Sequence, residues 1–552
     1  MDKKKSYKWI ELICVCALSL LVVFGVTCGI GTLFSGWHFV DDHEFLEYSY
    51  LFNYKNMSLM DVIKDVDRVS FISRNNLLYY PTRIIMTYII GADVVALSVI
   101  KAVETAIAMI LLYYCGKELI ITDSKAPCST KEALKNGVVA FFFSLVCLVG
   151  FQAPVWWKLG PEQMQALLCF GIAFLCLLKW EKNEEKIAYG IVSTIFAVLM
   201  GFFHESFFLV MPFLALWPVY ENIRRIRNSG AETTLTFDKD LKKLLDKYCG
   251  KKLWYVVAVM LLCVGIILST VIRLGFNSYS PVGFDSSSSI GSYFRAFIYS
   301  MNHDCKWYKV FGILLIGVLL TYYNEFKRYW PELAITIVFM LPQFVLYSKE
   351  GIEERYLLPV VIGFAMFFVI FVYNSKLLAG GRKKVYIAIS VMMLLFNTHS
   401  MIVEGDYYRF RGESVTKSLE EIESLSDRGY NVLCCFGICN PEADWTVDMY
   451  LKAHGKKDIY YWSEGAGFIS TERPFFIDGT DSGLTVQDMD VIYMYNRNDR
   501  HFEIEPSIDL EGFTCVKSGS VDVYFKDSVL DELGQEEIDG LKIRPTIYGI
   551  GK

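Results

Sequence analysis

Runs of mainly apolar residues, each about 15 to 25 long, recur from residue 10 to residue 402, and each is long enough to cross roughly 30 Å of hydrocarbon. We read about eleven such spans, near 10–34, 94–115, 137–153, 164–179, 187–202, 206–220, 253–273, 308–323, 332–347, 356–373 and 384–402. The fifth and sixth are short and parted only by a turn at His204 and Glu205, so they also read as one broken hairpin that stops short of crossing. A chain of 552 residues with 53% hydrophobic and 15% aromatic content is too apolar for a soluble protein of its length. The expected fold is an α-helical polytopic membrane protein. A net charge of −6 excludes the concentrated basic surface a nucleic-acid partner requires.

Lysine and arginine favour the cytoplasmic side of short loops. Placing the N-terminus inside puts Lys3, Lys4, Lys5 and Lys8, then Lys117 to Lys135, Lys179 to Lys186, Arg224 to Lys252, Lys327 with Arg328, and Lys376 to Lys384 in the cytoplasm. Residues 403–552 then lie outside, and the plasma membrane is the expected location. The first run lacks a small-x-small cleavage site and reads as a retained helix. Most of the fifteen cysteines sit singly within apolar runs, as small hydrophobes do.

We divide the chain into a membrane domain, 1–402, with an external loop at 35–92, and an extracytoplasmic α/β domain, 403–552. In the loop, Leu59, Val62, Ile63 and Val66 form one helical stripe behind the N-cap candidate Ser58, and a second interfacial helix is expected at 77–88. In the outer domain we expect a helix at 414–428, strands at 431–436, 459–462 and 490–495, and a hairpin of 513–517 with 521–526.

With this topology the unusual polar residues fall on the external side. The first loop holds Asp41, Asp42, His43, Glu44 and Glu47, directly after the first span. One aspartate reads as a general base that takes a proton from an acceptor hydroxyl, and the other as a group that orients the site. The same pair also reads as a solvated loop with helix-capping aspartates. Arg355 opens a late span, where a guanidinium grips a phosphate or simply snorkels. Lys158 and Glu162, beside Trp156 and Trp157, read either as a sugar-stacking patch or as part of an aromatic belt. His204 and Glu205 lack the second histidine of a zinc protease and read as an acceptor site or as helix caps. His303 and Asp304 face the same side. If a divalent cation takes part, Asp42, His43 and His204 are its candidate ligands. Within the spans, Lys101 and Glu104 are the clearest ionisable pair.

The acidic Asp41-Asp42 after the first span, the external loop with interfacial helices, Arg74-Asn75-Asn76-Leu77-Leu78-Tyr79-Tyr80-Pro81 and Arg355-Tyr356-Leu357-Leu358-Pro359 together resemble the GT-C superfamily of polytopic glycosyltransferases, which includes protein O-mannosyltransferases and aminoarabinose transferases. The resemblance covers roughly residues 1–402. It implies transfer of a sugar from a polyprenyl-phosphate carrier to a glycan, lipid or protein acceptor on the external face, with inversion. It further implies that Asp41 or Asp42 is the base and that Arg355, helped by Lys158, binds the carrier phosphate. Arg74, Trp157, Glu162, His204, Glu205 and Tyr356 are the candidate substrate contacts. Here the motif is Asp-Asp-His rather than the Asp-Glu of the mannosyltransferases, which leaves sugar and acceptor open. The rival readings are a transporter or flippase of lipid-linked saccharides and a polysaccharide polymerase or ligase.

Overall fold

The computed structural model describes residues 3–38, 41–73, 77–120, 130–150, 153–158, 162–228, 248–274, 289, 291–292, 294–295, 298–299, 307–346, 356–374, 378, 380–435, 441–455, 460–461, 476–477, 480–481, 486–495, 510–517, 521–533 and 540. Its helices are α1 (Lys3–Ile30), α2 (His43–Asn53), α3 (Leu59–Ser73), α4 (Tyr79–Ile90), α5 (Val94–Leu119), α6 (Thr130–Leu148), α7 (Ala153–Trp157), α8 (Gln163–Lys182) and α9 (Ile187–Phe203). They continue with α10 (Glu205–Phe208), α11 (Met211–Asn228), α12 (Leu253–Leu274), α13 (Trp307–Tyr322), α14 (Phe326–Leu346), α15 (Leu358–Phe367), α16 (Gly380–Asp427), α17 (Pro441–Ala453) and α18 (Asp527–Leu530).

A helix falls on each expected apolar run, but among the described residues only 6 are both long and apolar enough to cross a membrane. These lie at Lys8–Ile30, Val94–Leu119, Gln163–Lys182, Glu205–Arg227, Gly250–Ser269 and Gly380–Asp427, with shorter apolar helices at Ile187–Phe203 and Leu358–Tyr373. This is the architecture of an integral membrane protein, and the described residues do not confirm the count of eleven crossings. Isoleucines 187, 191 and 195 and Leu261 point outward, as lipid-facing side chains do, while Phe170, Phe174, Phe213, Trp217 and Phe339 pack ring against ring in the buried core.

The expected loop helices form slightly beyond their predicted ends. Ser58 does cap α3: its Oγ accepts from the Asp61 amide at 3.3 Å and donates to the Asp61 carboxylate at 2.6 Å. The larger departure is α16, a single helix of 48 residues. It runs through residue 403, where the sequence suggested a boundary, and absorbs the helix expected at 414–428.

Beyond α16 lies a five-stranded sheet in the order β2-β1-β5-β7-β6, made of β1 (Val432–Cys435), β2 (Tyr460–Tyr461), β5 (Val491–Tyr495), β6 (Phe513–Lys517) and β7 (Val521–Lys526). β1 pairs in parallel with β2 and β5, whereas β7 is antiparallel to β5 and β6. A separate antiparallel pair joins β3 (Phe476–Ile477) to β4 (Thr480–Asp481). Val415, Leu419, Ile422 and Leu425 of α16 bury against Val432, Val491, Val523 and Phe525 of this sheet. Trp37 and Phe45 from the first loop belong to the same apolar cluster, so sheet, long helix and loop share one core.

Candidate functional site

The first loop leaves α1 through a short 3-10 turn, Thr32–Phe34, and returns along the carboxyl-terminal half of α16. Two glycines make that contact. Gly36 has φ +80, and a Cβ there would lie 1.9 Å from Thr416 Oγ1. A Cβ on Gly412 would lie 2.7 Å from the Ser35 carbonyl oxygen. The Trp37 amide seals the contact by donating to Thr416 Oγ1 at 2.7 Å.

This docking separates the two adjacent aspartates. Asp42, at 0% exposure, accepts the backbone N–H of His38 on Oδ2, and its Oδ1 lies 3.1 Å from His38 Nδ1. Burial opposes ionisation of Asp42, but His38 and nearby Lys158 outweigh it and hold the carboxyl below the usual range. His38 is pushed down chiefly by burial, with Lys158 and Arg411 adding to the effect and Asp42 opposing it. Asp41, by contrast, is half-buried and adopts φ 55, a left-handed conformation that aspartate tolerates better than most residues. The Tyr79 hydroxyl donates to its Oδ2 at 3.4 Å.

Behind Asp41 lies a buried polar network drawn from four segments. Arg83, on α4 and at 0% exposure, donates from Nη1 to the Asp41 carbonyl at 2.9 Å and to Glu44 Oε2 at 2.6 Å, and from Nε to Glu162 Oε1 at 3.0 Å. Its guanidinium also lies 4.8 Å from the ring centroids of both Phe45 and Tyr79. Lys101 of α5 meets the other oxygen of Glu162 at 2.5 Å and Gln165 Oε1 at 3.1 Å. Gln165 then donates to Glu104 at 2.6 Å, so the Lys101–Glu104 pair expected from sequence, 3.6 Å apart, is the weaker part of a larger network. Burial, with Asp41 and Glu162 nearby, pushes Glu44 up to about 8 in spite of Arg83.

Lys158 follows α7, and its Nζ donates to Ser35 Oγ. Burial pushes its ammonium down to about 8, against the pull of Asp42 and Glu413. Trp157 is 3% exposed, and its indole N–H is given to the Leu148 carbonyl at 3.1 Å, which sets this ring in the core. His204 caps α10 and lies 3.4 Å from Gln163, the neighbour of Glu162. Glu205 begins that short helix, and Tyr356 packs against the main apolar core just before α15.

Arg74, Arg355, His303 and Asp304 lie outside the described residues, as does the side chain of Trp156. Among the described residues no group of three or more His, Cys, Asp or Glu side chains is set to hold a metal ion. Asp42, His43 and His204 therefore do not form a ligand set. The sequence reading did not single out Arg83, His38 or Arg411. Arg83 carried a usable signal, a lone cation in the apolar run Tyr79–Ile90.

No protein-family model and no curated protein matches the chain. A solved structure does align with it. That structure is ArnT from Cupriavidus metallidurans bound to undecaprenyl phosphate, matched at 9% identity over 94% of this chain and 98% of that one, with a TM-score of 0.43.

Proposed function

We propose that the chain is a membrane glycosyltransferase that moves a sugar from a polyprenyl-phosphate carrier to an acceptor hydroxyl, with Asp41 as general base. The observation that carries this reading is the division of labour between neighbouring aspartates. Asp42 is sealed in and committed to His38, whereas Asp41 is half-buried with its carboxylate turned toward Tyr79. A base must reach its substrate, and only Asp41 retains that reach.

In the proposed step the acceptor oxygen attacks the anomeric carbon as Asp41 removes its proton. The bond from that carbon to the phosphate oxygen breaks, and the carrier phosphate departs with the electron pair, so configuration inverts. Arg355 is the proposed cation for the leaving phosphate, a role for which opposite charge aimed at developing charge suffices, while Lys158, buried and given to Ser35 Oγ, holds the loop rather than the carrier. Arg74, Tyr356 and Glu205 are the proposed contacts to sugar and acceptor, while His204, buried and paired with Ser206, caps the short helix α10. Glu162 and Trp157 serve the surrounding frame in this account, because each is already committed to a protein partner. The sheet domain is proposed to hold the acceptor on the extracytoplasmic side.

The test uses purified wild type, Asp41→Asn and Asp42→Asn in detergent, with a panel of radiolabelled polyprenyl-phosphate sugars and a membrane-extract acceptor. Asp41→Asn should bind the carrier normally and lose about 10²–10⁴ of the turnover. Wild type that binds the carrier without ever breaking the sugar–phosphate bond would point instead to a flippase of lipid-linked saccharides.

A further inference from the structure

Resting on Asp41 as the base, we propose that Arg83 is its positioning residue: the guanidinium fixes the peptide that sets the half-buried Asp41 carboxylate beside Tyr79, and it does not bind the carrier phosphate. The argument begins with the backbone. At φ 55, Asp41 occupies a conformation that aspartate visits but that its surroundings must hold. The Arg83 hydrogen bond to its carbonyl at 2.9 Å supplies that hold at the residue itself.

Arg83 is in turn unable to drift. Its Nε and both Nη1 hydrogens are spent on Glu162, Glu44 and Asp41, and the aromatic rings of Phe45 and Tyr79 flank it. Glu162 is braced from its other oxygen by Lys101, so α4, α5 and the start of α8 converge on one guanidinium. With 0% exposure and those donors occupied, Arg83 offers a phosphate neither an approach nor a free Nε or Nη1 hydrogen. It does fix the base relative to the bundle, and fixed geometry of that kind is worth a large factor in rate.

The test measures kcat, KM and carrier affinity for the full-length wild type, Arg83→Lys and Glu162→Gln in detergent, using a labelled donor that wild type turns over. A wild type silent with every donor removes both the transferase reading and this inference, and it is seen before any variant is compared. With wild type active, Arg83→Lys should bind the carrier with wild-type affinity and unchanged KM while kcat falls about 100-fold. Glu162→Gln, which keeps the side-chain volume but weakens the brace on Nε, should lower kcat about tenfold with KM unchanged. Wild-type kcat in a folded variant overturns the proposal. So does a tenfold weaker carrier affinity with kcat retained, which would make Arg83 a phosphate ligand. If Arg83→Lys does not fold, Glu162→Gln alone carries the same comparison.

Discussion

Nζ of Lys101 lies 2.5 Å from Oε2 of Glu162, and both side chains are closed off from solvent. Replacing the lysine by methionine leaves a buried carboxylate with Arg83 as its remaining cation, and removing one partner of a buried ion pair costs about 3 kcal/mol or more. Lys101→Met should therefore lower the thermal midpoint in detergent well below that of exposed-site variants. An unchanged midpoint would mean that Arg83 alone neutralises Glu162.

Glu44 makes the stability depend on pH between 4.5 and about 8. Its folded pKa of about 8 exceeds the ordinary 4.5, so between those values the folded state holds a proton that the unfolded chain has released. Stability should fall as pH rises through that window, by at most about 1.4 kcal/mol per unit from this group. Thermal midpoints from pH 5 to 9 should show the decline in wild type and a weaker one in Glu44→Gln. His38 acts in the opposite direction. Folded His38 titrates below 6.5, so the unfolded chain takes up its proton first and stability falls as pH drops through that value. Asp42, held below 3.8, withdraws its own contribution at still lower pH.

Asp42→Asn separates the structural role from the chemical one. It removes a buried charge that accepts the His38 amide, a loss of about 1.5–3 kcal/mol for a hydrogen bond to a charged group. Unfolding assays should register that loss, while turnover should drop only about tenfold, far less than for Asp41→Asn.

Gly412→Ala probes the contact between loop and long helix. The new methyl would meet the Ser35 backbone oxygen at 2.7 Å, and backbone yields less readily than a side-chain tip. Overpacking of this kind costs about 1–3 kcal/mol. Because Ser35 also receives Lys158 and the loop continues to Asp41, turnover should fall along with the thermal midpoint.

The sequence disclosed elements whose causes are local. Strands β6 and β7 pair at the residues expected, because the alternation of side chains along Val521–Lys526 is a local signal. The start of α3 follows from Ser58. The end of α16 near Asp427 was legible in the helix expected at 414–428, but its continuity through 403–413 was not, since a fall in hydropathy does not by itself stop a helix. Asp41 and Asp42 stood out as a pair, but their different fates depend on how the loop docks against α16, which no spacing within 37–48 encodes. Arg83 was missed for a related reason. Its partners Glu44, Asp41 and Glu162 lie 39, 42 and 79 positions away, beyond the reach of any motif.

At 1.5 Å per residue the 48 residues of α16 make a rod about 70 Å long. One end stands among the apolar helices, the other is cemented into the sheet, and the Ser35–Gly412 contact lies between them. The sheet is thus carried on the end of one continuous helix, and the loop that bears Asp41 docks part-way along that same helix.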